Sequence, residues 1–413
     1  MNRLHQPIAG IATAETPRAG FTSSLEQSRA QDAAPAETIA PPRTDHLKED
    51  RLEVDHNLSS RINLMRIILI SGIVFVHVPV VPQMSPFAGQ FGWFDWLRIF
   101  LGDSLFRSGV PCLSAISGYL LFRSGLAHFS YQRILRSKAL TVVVPFLAWN
   151  LGLLTVVLLM QYVSVGIGYF PDLWSASPRE MLRHAFALEG LPVNIPLYFL
   201  RDLIVCNLLS PLLAFFVYRM PTLTCSALFA LAIAPDVATG VVLKKSILFS
   251  FAFGMALALH GIDPKALDRH AVAGVAVTVL GAVLLSLALL LLGPECPFWL
   301  RLARNAFWIV GALGFWLASA MLIRTEAGRR LSNSGSLSFW IFCAHYPVLV
   351  GLWMLWDRTS NYGGYPLFYA GAVIVTFSIL LVTNRAMARW APFAYRVLTG
   401  SRSRTNKVST STG

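Results

Sequence analysis

Charged residues are scarce in this chain of 413 residues, where they make up 13% of the sequence, against roughly a quarter in soluble globular domains. Hydrophobic residues make up 55%. They are concentrated between residues 62 and 390, in apolar runs close to the roughly 20 residues that a helix needs to cross a bilayer core. The scarcity of charge excludes a sizeable soluble domain and predicts an all-α integral membrane protein.

Cysteine is also scarce, and its distribution argues against two kinds of site. The chain has five cysteines, an odd number that disfavours a disulfide framework. Four of them lie within apolar segments, where cysteine behaves as a small hydrophobic residue, and no CxxC or mixed Cys/His ligand spacing occurs. We therefore expect no metal site and no bound cofactor. A thiol nucleophile or a thiol metal ligand is the alternative.

Basic residues are in excess, but their pattern disfavours nucleic acid as a partner. The formal net charge is +13, yet the basic side chains lie in short loops between apolar runs and form no patch interleaved with exposed aromatics. Alternate loops and the C-terminal stretch hold most of them: Arg123, Arg133, Arg136 and Lys138, then Lys265 and Arg269, then Arg324, Arg329 and Arg330, then Arg385 onward. The opposite loops carry fewer and mixed charges, with Lys244 and Lys245 as exceptions. By the positive-inside rule, both termini are expected to be cytoplasmic.

The apolar runs predict a polytopic bundle of about ten transmembrane helices. The predicted spans are 62–82, 104–122, 138–160, 196–218, 222–240, 245–261, 270–293, 303–323, 336–356 and 365–388. Pro235, Asp236 and Gly240 interrupt the fifth and sixth of these.

The spans divide the chain into three parts and leave one long loop. A disordered cytoplasmic tail is predicted at 1–58, a transmembrane domain at 59–392, and a basic cytoplasmic tail at 393–413. The longest loop on the outer side covers residues 161–195, with a possible helix at Pro178–Leu188. Such a loop is either functional or an interfacial filler.

Arg66 and His77 are the most informative polar residues of the predicted spans, because ionisable groups within a bilayer are costly and usually functional. They stand eleven residues apart in the first span. That spacing is three helical turns plus about 20°, so both side chains face the same way about 16 Å apart. His77 fits a general base. The structural alternatives are an interfacial anchor for Arg66 and a hydrogen-bonded bundle histidine for His77.

Three further positions have a functional and a structural interpretation. His345 lies near the middle of the ninth span and is either a second functional histidine or a satisfied bundle residue. Arg133 and Arg136 lie in a cytoplasmic loop, where they set topology or bind a phosphorylated cytosolic ligand. Arg201 and Asp202 open the fourth span, as simple anchors or as part of a polar cluster that holds an acceptor hydroxyl.

Together these segments resemble the membrane acyltransferase-3 family over roughly residues 58–390. The family's first helix carries an arginine followed eleven residues later by a histidine, matched by Arg66 and His77. Four further motifs are matched in order by CLSAISGYLLF, RILRSKALTVVVP, LYFLRDLIVCNLLSP and SFWIFCAHYP, the last with His345. The first of these four departs from the family at residues 113–116, where the family usually shows paired aromatics. Without the extracytoplasmic hydrolase-like domain of some members, the chain resembles the stand-alone membrane form.

The resemblance implies an enzyme of the bacterial inner membrane. It would transfer an acyl group, succinyl or acetyl, from cytosolic acyl-coenzyme A to a sugar hydroxyl of an exopolysaccharide or its lipid-linked precursor. Within the family, the first span looks most like the succinyltransferases that decorate rhizobial exopolysaccharides. No metal or redox cofactor is implied; membrane lipid and the two substrates are the expected partners.

The hypothesis assigns a role to each candidate residue. His77 is the base that activates the attacking hydroxyl, and His345 polarises the carbonyl or orients the acceptor. Arg201 is a candidate cation for a succinyl carboxylate. The phosphates of the coenzyme are expected at three arginines, Arg66, Arg133 and Arg136.

Two other classes of function are compatible with ten helices and buried polar residues. The first is a transporter or exporter of polysaccharide precursors, although the sequence shows no internal repeat with matched broken segments. The second is a non-enzymatic membrane scaffold, in which neither Arg66 nor His77 would be needed for activity.

Overall fold

The structure is a computed structural model that describes residues 44–126, 129–237, 243–359 and 362–400. Sixteen α-helices lie within these ranges: α1 Thr44–Val76, α2 Trp93–Ile99, α3 Gly109–Phe122, α4 Tyr131–Lys138, α5 Val144–Tyr162, α6 Pro178–Phe186, α7 Tyr198–Leu208, α8 Ser210–Arg219, α9 Pro221–Ile233, α10 Lys245–Leu259, α11 Ala271–Leu292, α12 Phe298–Leu322, α13 Glu326–Asn333, α14 Gly335–Asp357, α15 Tyr365–Trp390 and α16 Pro392–Thr399. The described part of the chain is thus helical, as predicted.

Seven helical segments are long and apolar enough to cross a bilayer. They are His56–Val76, Trp93–Phe122, Tyr131–Tyr162, Asp268–Leu292, Phe298–Leu322, Leu337–Asp357 and Tyr362–Trp390. The number rises to eight if the bent pair α7 and α8 forms one span, and two shorter apolar helices, α9 and α10, remain. A polytopic membrane protein is confirmed, whereas the predicted count of ten is not.

The fourth predicted span is broken between α7 and α8, whose axes differ by 64°. Pro211 causes the break, since proline has no N–H to donate to the carbonyl of Asn207 four residues earlier. The Ser210 hydroxyl donates to that carbonyl instead, at 2.7 Å. The freed backbone oxygen is therefore satisfied within the protein, which a lipid environment requires.

Helix α1 ends at Val76, six residues before the predicted end of the first span. Pro79 accounts for the difference, because the residue before a proline is disfavoured in the helical region. His77 follows the last turn, and its backbone N–H donates to Val74 at 3.2 Å. The histidine predicted within a span thus lies just beyond a helix end. This end of α1 is called the His77 end below.

The largest hydrophobic core is built around α1. Leu64, Leu69 and Val74 of this helix are fully buried, and the same core contains residues of α3, α7, α10, α14 and α15. A helix that is buried on most of its faces is typical of the centre of a bundle. Because α1 is central in this core, Arg66 and His77 are surrounded by protein.

Helices α3 and α10 cross at two glycines. A Cβ placed on Gly118 would lie 2.0 Å from the carbonyl oxygen of Phe251, and one on Gly254 would lie 2.0 Å from that of Ala115. Small residues that allow such close backbone approach are typical of membrane helix crossings. Gly118, the glycine of the Ser-Gly-Tyr motif in the second predicted span, therefore allows the two helices to pack closely.

The chain beyond the His77 end is held by α2 and α15. The hydroxyls of Tyr365 and Tyr369 donate to the carbonyls of Pro79 and Phe75, at 3.0 and 3.2 Å. In α2, buried Arg98 pairs with Asp95 at 3.2 Å and donates to the carbonyl of Met84. These contacts fix the backbone on both sides of His77.

The long loop predicted at 161–195 contains the predicted helix, as α6 Pro178–Phe186. Its start is a capping box, in which the N–H and hydroxyl of Ser177 donate to Glu180 and hold the pKa of that carboxyl below its usual range. Elsewhere in the loop, Tyr169 donates to Asp357 at the end of α14, and this hydrogen bond raises the pKa of the phenol. The loop is therefore ordered and joined to the bundle.

The predicted tails fall largely outside the described residues. Of the segment 1–58 the structure describes 44–58, which belongs to α1. Of the segment 393–413 it describes 393–400, within and just after α16. Disorder in both tails stays a prediction.

Candidate functional site

His77 and His345 lie side by side, although 268 residues separate them in the sequence. Their ring centroids are 5.2 Å apart, and Nε2 of His345 lies 3.4 Å from Nδ1 of His77. His77 follows α1 and His345 lies in the middle of α14. Both candidate histidines thus belong to one site at the His77 end of the bundle.

The hydrogen bonds around the two rings define their tautomers. Nδ1 of His345 lies 2.9 Å from the carbonyls of Ile341 and Phe342, and a carbonyl accepts only from a protonated nitrogen. Nδ1 of His77 likewise donates to the carbonyl of Ile73 at 2.9 Å. In the neutral tautomers, Nε2 of His345 is then an acceptor that faces the Nδ1–H of His77. Nε2 of His77 keeps a free lone pair.

His77 opens onto a cavity formed by several helices. The lining comes from α1, from the start of α3 and the residues before it, from the start of α7, from the start of α10, from α12 and from α14. The polar and charged residues of the lining are His77, Arg107, Tyr198, Lys244, Ser246 and Trp308. Two cations and no carboxylate therefore line this described cavity together with His77.

Arg66 lies within α1, eleven residues before His77, and is half-buried. No hydrogen bond or ion pair joins its side chain to another described residue. Arg61, five residues earlier, contrasts with it: this side chain is buried, pairs with Asp268 at 2.6 Å and stacks on Trp316. Sequence reasoning did not assign Arg61 a role, and its contacts make it a structural residue. Arg66 keeps its donors available for an anion.

Arg133 and Arg136 are exposed on α4, the short basic helix before α5. Neither lines the cavity beside His77. Within the described part of the chain, neither side chain makes a hydrogen bond or ion pair. Their position suits the binding of an anion that approaches from outside the bundle, and equally suits the setting of topology.

Arg201 is held in a network of its own. Its guanidinium pairs with Asp202 at 2.7 Å and donates to the carbonyls of Ala187 and Gly190, which join α7 to the long loop. Asp202 also accepts from the backbone N–H of Lys244 at 3.0 Å. Most donors of Arg201 are thus engaged within the protein, and its role as a cation for substrate stays a prediction.

Arg107 and Lys244 were missed as site residues, although the sequence held a signal for each. Lys244 was an exception to the charge pattern of the loops, and Arg107 is a charge near the start of the second predicted span. No periodicity could reveal that the two share a cavity, since 137 residues separate them. Among the described residues, no group of three or more His, Cys, Asp or Glu side chains could hold a metal ion.

Comparison with known proteins gave two matches. A family model described as an acyltransferase domain matches residues 59–385, a range that includes His77, Arg107, Lys244 and His345. The succinoglycan biosynthesis protein ExoH of Rhizobium meliloti (strain 1021) is 52% identical over 358 residues, which cover 86% of this chain and 96% of that protein. No solved structure matches significantly.

Proposed function

This chain belongs to the acyltransferase-3 family, and from that premise we propose that it is an integral membrane O-acyltransferase of exopolysaccharide synthesis. The acyl donor is acyl-coenzyme A, with succinyl as the acyl group, and the acceptor is a sugar hydroxyl of the polysaccharide or of its lipid-linked precursor. The similar protein named for succinoglycan biosynthesis supports this acceptor class and acyl group.

The pairing of His77 with His345 is the observation that carries the proposal. Nε2 of His77 takes the proton of the acceptor hydroxyl while the hydroxyl oxygen attacks the thioester carbonyl. A C–O bond forms and the C–S bond breaks, and the departing thiolate takes the proton from the imidazolium. His345 Nε2 and the Ile73 carbonyl accept from Nδ1–H of His77, so they hold the ring in the tautomer that leaves the lone pair of Nε2 free to act as the base.

Arg66 supports the proposed donor. It lies about 16 Å from His77 along α1, which is about the reach of an extended pantetheine arm. A half-buried arginine without a partner among the described residues favours an anionic ligand, since an unpaired charge within a membrane is costly. The phosphates would lie at Arg66, with exposed Arg133 and Arg136 contacting them from α4. The thioester would then reach His77.

The proposed arrangement in the membrane follows from this donor. Coenzyme A is cytosolic, so the Arg66 end of α1 faces the cytoplasm and the His77 end faces outward, where a growing polysaccharide arrives. The protein then lies in the bacterial inner membrane with ten spans and both termini cytoplasmic. The short helices α9 and α10 each count as a span in this proposal.

Transfer of label tests the proposal directly. The full chain in lipid nanodiscs is given succinyl-coenzyme A labelled in the succinyl group and an exopolysaccharide that alkali has stripped of its esters. We expect labelled polysaccharide from the natural protein. His77→Ala should reduce transfer by roughly 10²- to 10⁴-fold, the range for loss of a general base, whereas His184→Ala on α6 serves as the matched control and should transfer normally.

Two outcomes would contradict the proposal. Transfer that survives His77→Ala would remove His77 from the mechanism. Movement of unmodified glycan across the membrane of liposomes that contain the protein, without any acyl transfer, would favour the exporter instead.

A further inference from the structure

Arg107 and Lys244 are two cations in the cavity beside His77 to which the proposed reaction gives no role. We propose that they bind the free carboxylate of a dicarboxylic acyl group, and so select a succinyl donor over neutral acyl donors. The inference rests on the proposed function, and it moves the carboxylate site from Arg201, which the sequence favoured, to the cavity itself.

Arg107 keeps hydrogen-bond donors free for a ligand. Its Nε donates to the carbonyl of Gly102 at 2.9 Å, and Nη2 makes a long contact of 3.5 Å with Asp103. Nη1 has no hydrogen-bond partner among the described residues. The guanidinium also lies 5.8 Å from the centre of the Trp308 ring. It is therefore held in place on one side and open on the other, as a carboxylate clamp requires.

Lys244 complements Arg107 from another helix. Its ammonium lies 3.8 Å from the centre of the Tyr198 ring, and its backbone N–H donates to Asp202. Within the described part of the chain, Nζ makes no hydrogen bond, so its three donors are available. The ring of Tyr198 and the backbone bond together hold the side chain at the cavity.

The charges around the cavity leave room for one more anion. Of the two cations of the lining, Arg107 lies 3.5 Å from the carboxylate of Asp103, whereas the Lys244 ammonium makes no ion pair with a described residue. The lining therefore has one positive charge in excess. A buried or half-buried charge without a counterion is costly. A single carboxylate balances this excess, whereas a neutral acetyl group does not.

The geometry of the bundle places the cations on the correct side of His77. Arg107 lies two residues before α3 and Lys244 directly precedes α10, and these helices cross further along at Gly118 and Gly254. Since both first turns line the same cavity, the two helices run parallel. A donor held by its phosphates at Arg66 brings its thioester to His77, so the far end of its acyl group continues toward Arg107 and Lys244.

Donor competition on one acceptor tests the inference. The full chain in nanodiscs is given succinyl-, butyryl- or acetyl-coenzyme A with the ester-free polysaccharide, and kcat/KM is measured for each. Butyryl has the length of succinyl without the carboxylate. We expect Arg107→Gln and Lys244→Gln each to reduce kcat/KM for succinyl transfer by roughly 10- to 100-fold, the loss of one charge-assisted hydrogen bond, mainly through KM. Acetyl and butyryl transfer should change less than about twofold.

Matched variants separate charge from structure. Lys244→Arg keeps the charge and should keep the succinyl preference. Arg179→Gln removes an exposed arginine of the long loop and should change nothing. Retained acetyl transfer shows in each case that the variant is folded.

The outcomes also separate this inference from the proposed function. An equal loss with all three donors overturns the inference, because it would mean that the cations bind an acidic acceptor or support the fold. A natural protein that transfers acetyl but not succinyl overturns the inference and leaves the acyltransferase intact. A natural protein that transfers from no coenzyme A donor overturns both.

Discussion

At the scale of single residues, the contacts of His77 and His345 give different roles to two histidines that the sequence treats alike. His77 lines the cavity, whereas His345 is fully buried and turns its Nε2 toward the ring of His77. A residue in that position acts through its neighbour, as the third member of a catalytic triad orients the histidine. We therefore interpret His345 as a positioning residue.

Replacement of His345 tests that interpretation. His345→Phe removes the acceptor behind His77, so kcat should fall about tenfold, the effect of losing one hydrogen bond of roughly 1 kcal/mol or slightly more. KM for the acyl donor should stay within about twofold. His345→Gln supplies an amide oxygen as acceptor and should recover most of kcat in steady-state measurements. Equal losses in both variants, together with a lower unfolding temperature, would instead assign His345 to the fold.

At the scale of helices, the crossing of α3 and α10 explains why glycine occupies its two closest points. A methyl group on Gly254 would meet the carbonyl of Ala115, which belongs to a helix backbone and cannot rotate away. The same crossing sets the separation of the first turns of both helices, and with it the positions of Arg107 and Lys244. Helix packing and the proposed donor selection thus depend on one contact.

Two alanine substitutions should shift stability in opposite directions. Gly254→Ala forces the helices apart and should cost about 1–3 kcal/mol, as overpacking does. Gly371→Ala on α15 meets open space and should stabilise its helix by about 0.5–1 kcal/mol, because alanine restricts the unfolded chain. Thermal unfolding of the two variants in one detergent measures the difference. A higher unfolding temperature for Gly254→Ala would contradict the crossing.

At the scale of the whole molecule, the sequence predicted the class of structure better than the site. The apolar runs predicted the seven long spans, because length and composition decide membrane insertion. The spacing of Arg66 and His77 follows from helix geometry alone. The contact of His77 with His345, and the cavity shared by Arg107 and Lys244, depend on how distant helices pack. No periodicity carries that information.

The number of spans is a property of the whole molecule, and whether it is odd or even decides where the termini lie. Seven spans would put them on opposite sides of the membrane, whereas ten put them on the same side.

The helix α9 has 13 residues and α10 has 15, lengths of about 20 and 22 Å, which are short for a hydrocarbon core of roughly 30 Å. Yet Lys244 shares a cavity with His77, so the start of α10 lies at the His77 end, and α10 runs parallel to α3. Fusions of green fluorescent protein or alkaline phosphatase test this. We expect phosphatase activity after Gly190 and Val237, and fluorescence after Gly125, Pro264 and the C-terminus. A fluorescent fusion after Val237 would mean that α9 does not cross, and the proposed topology would be wrong.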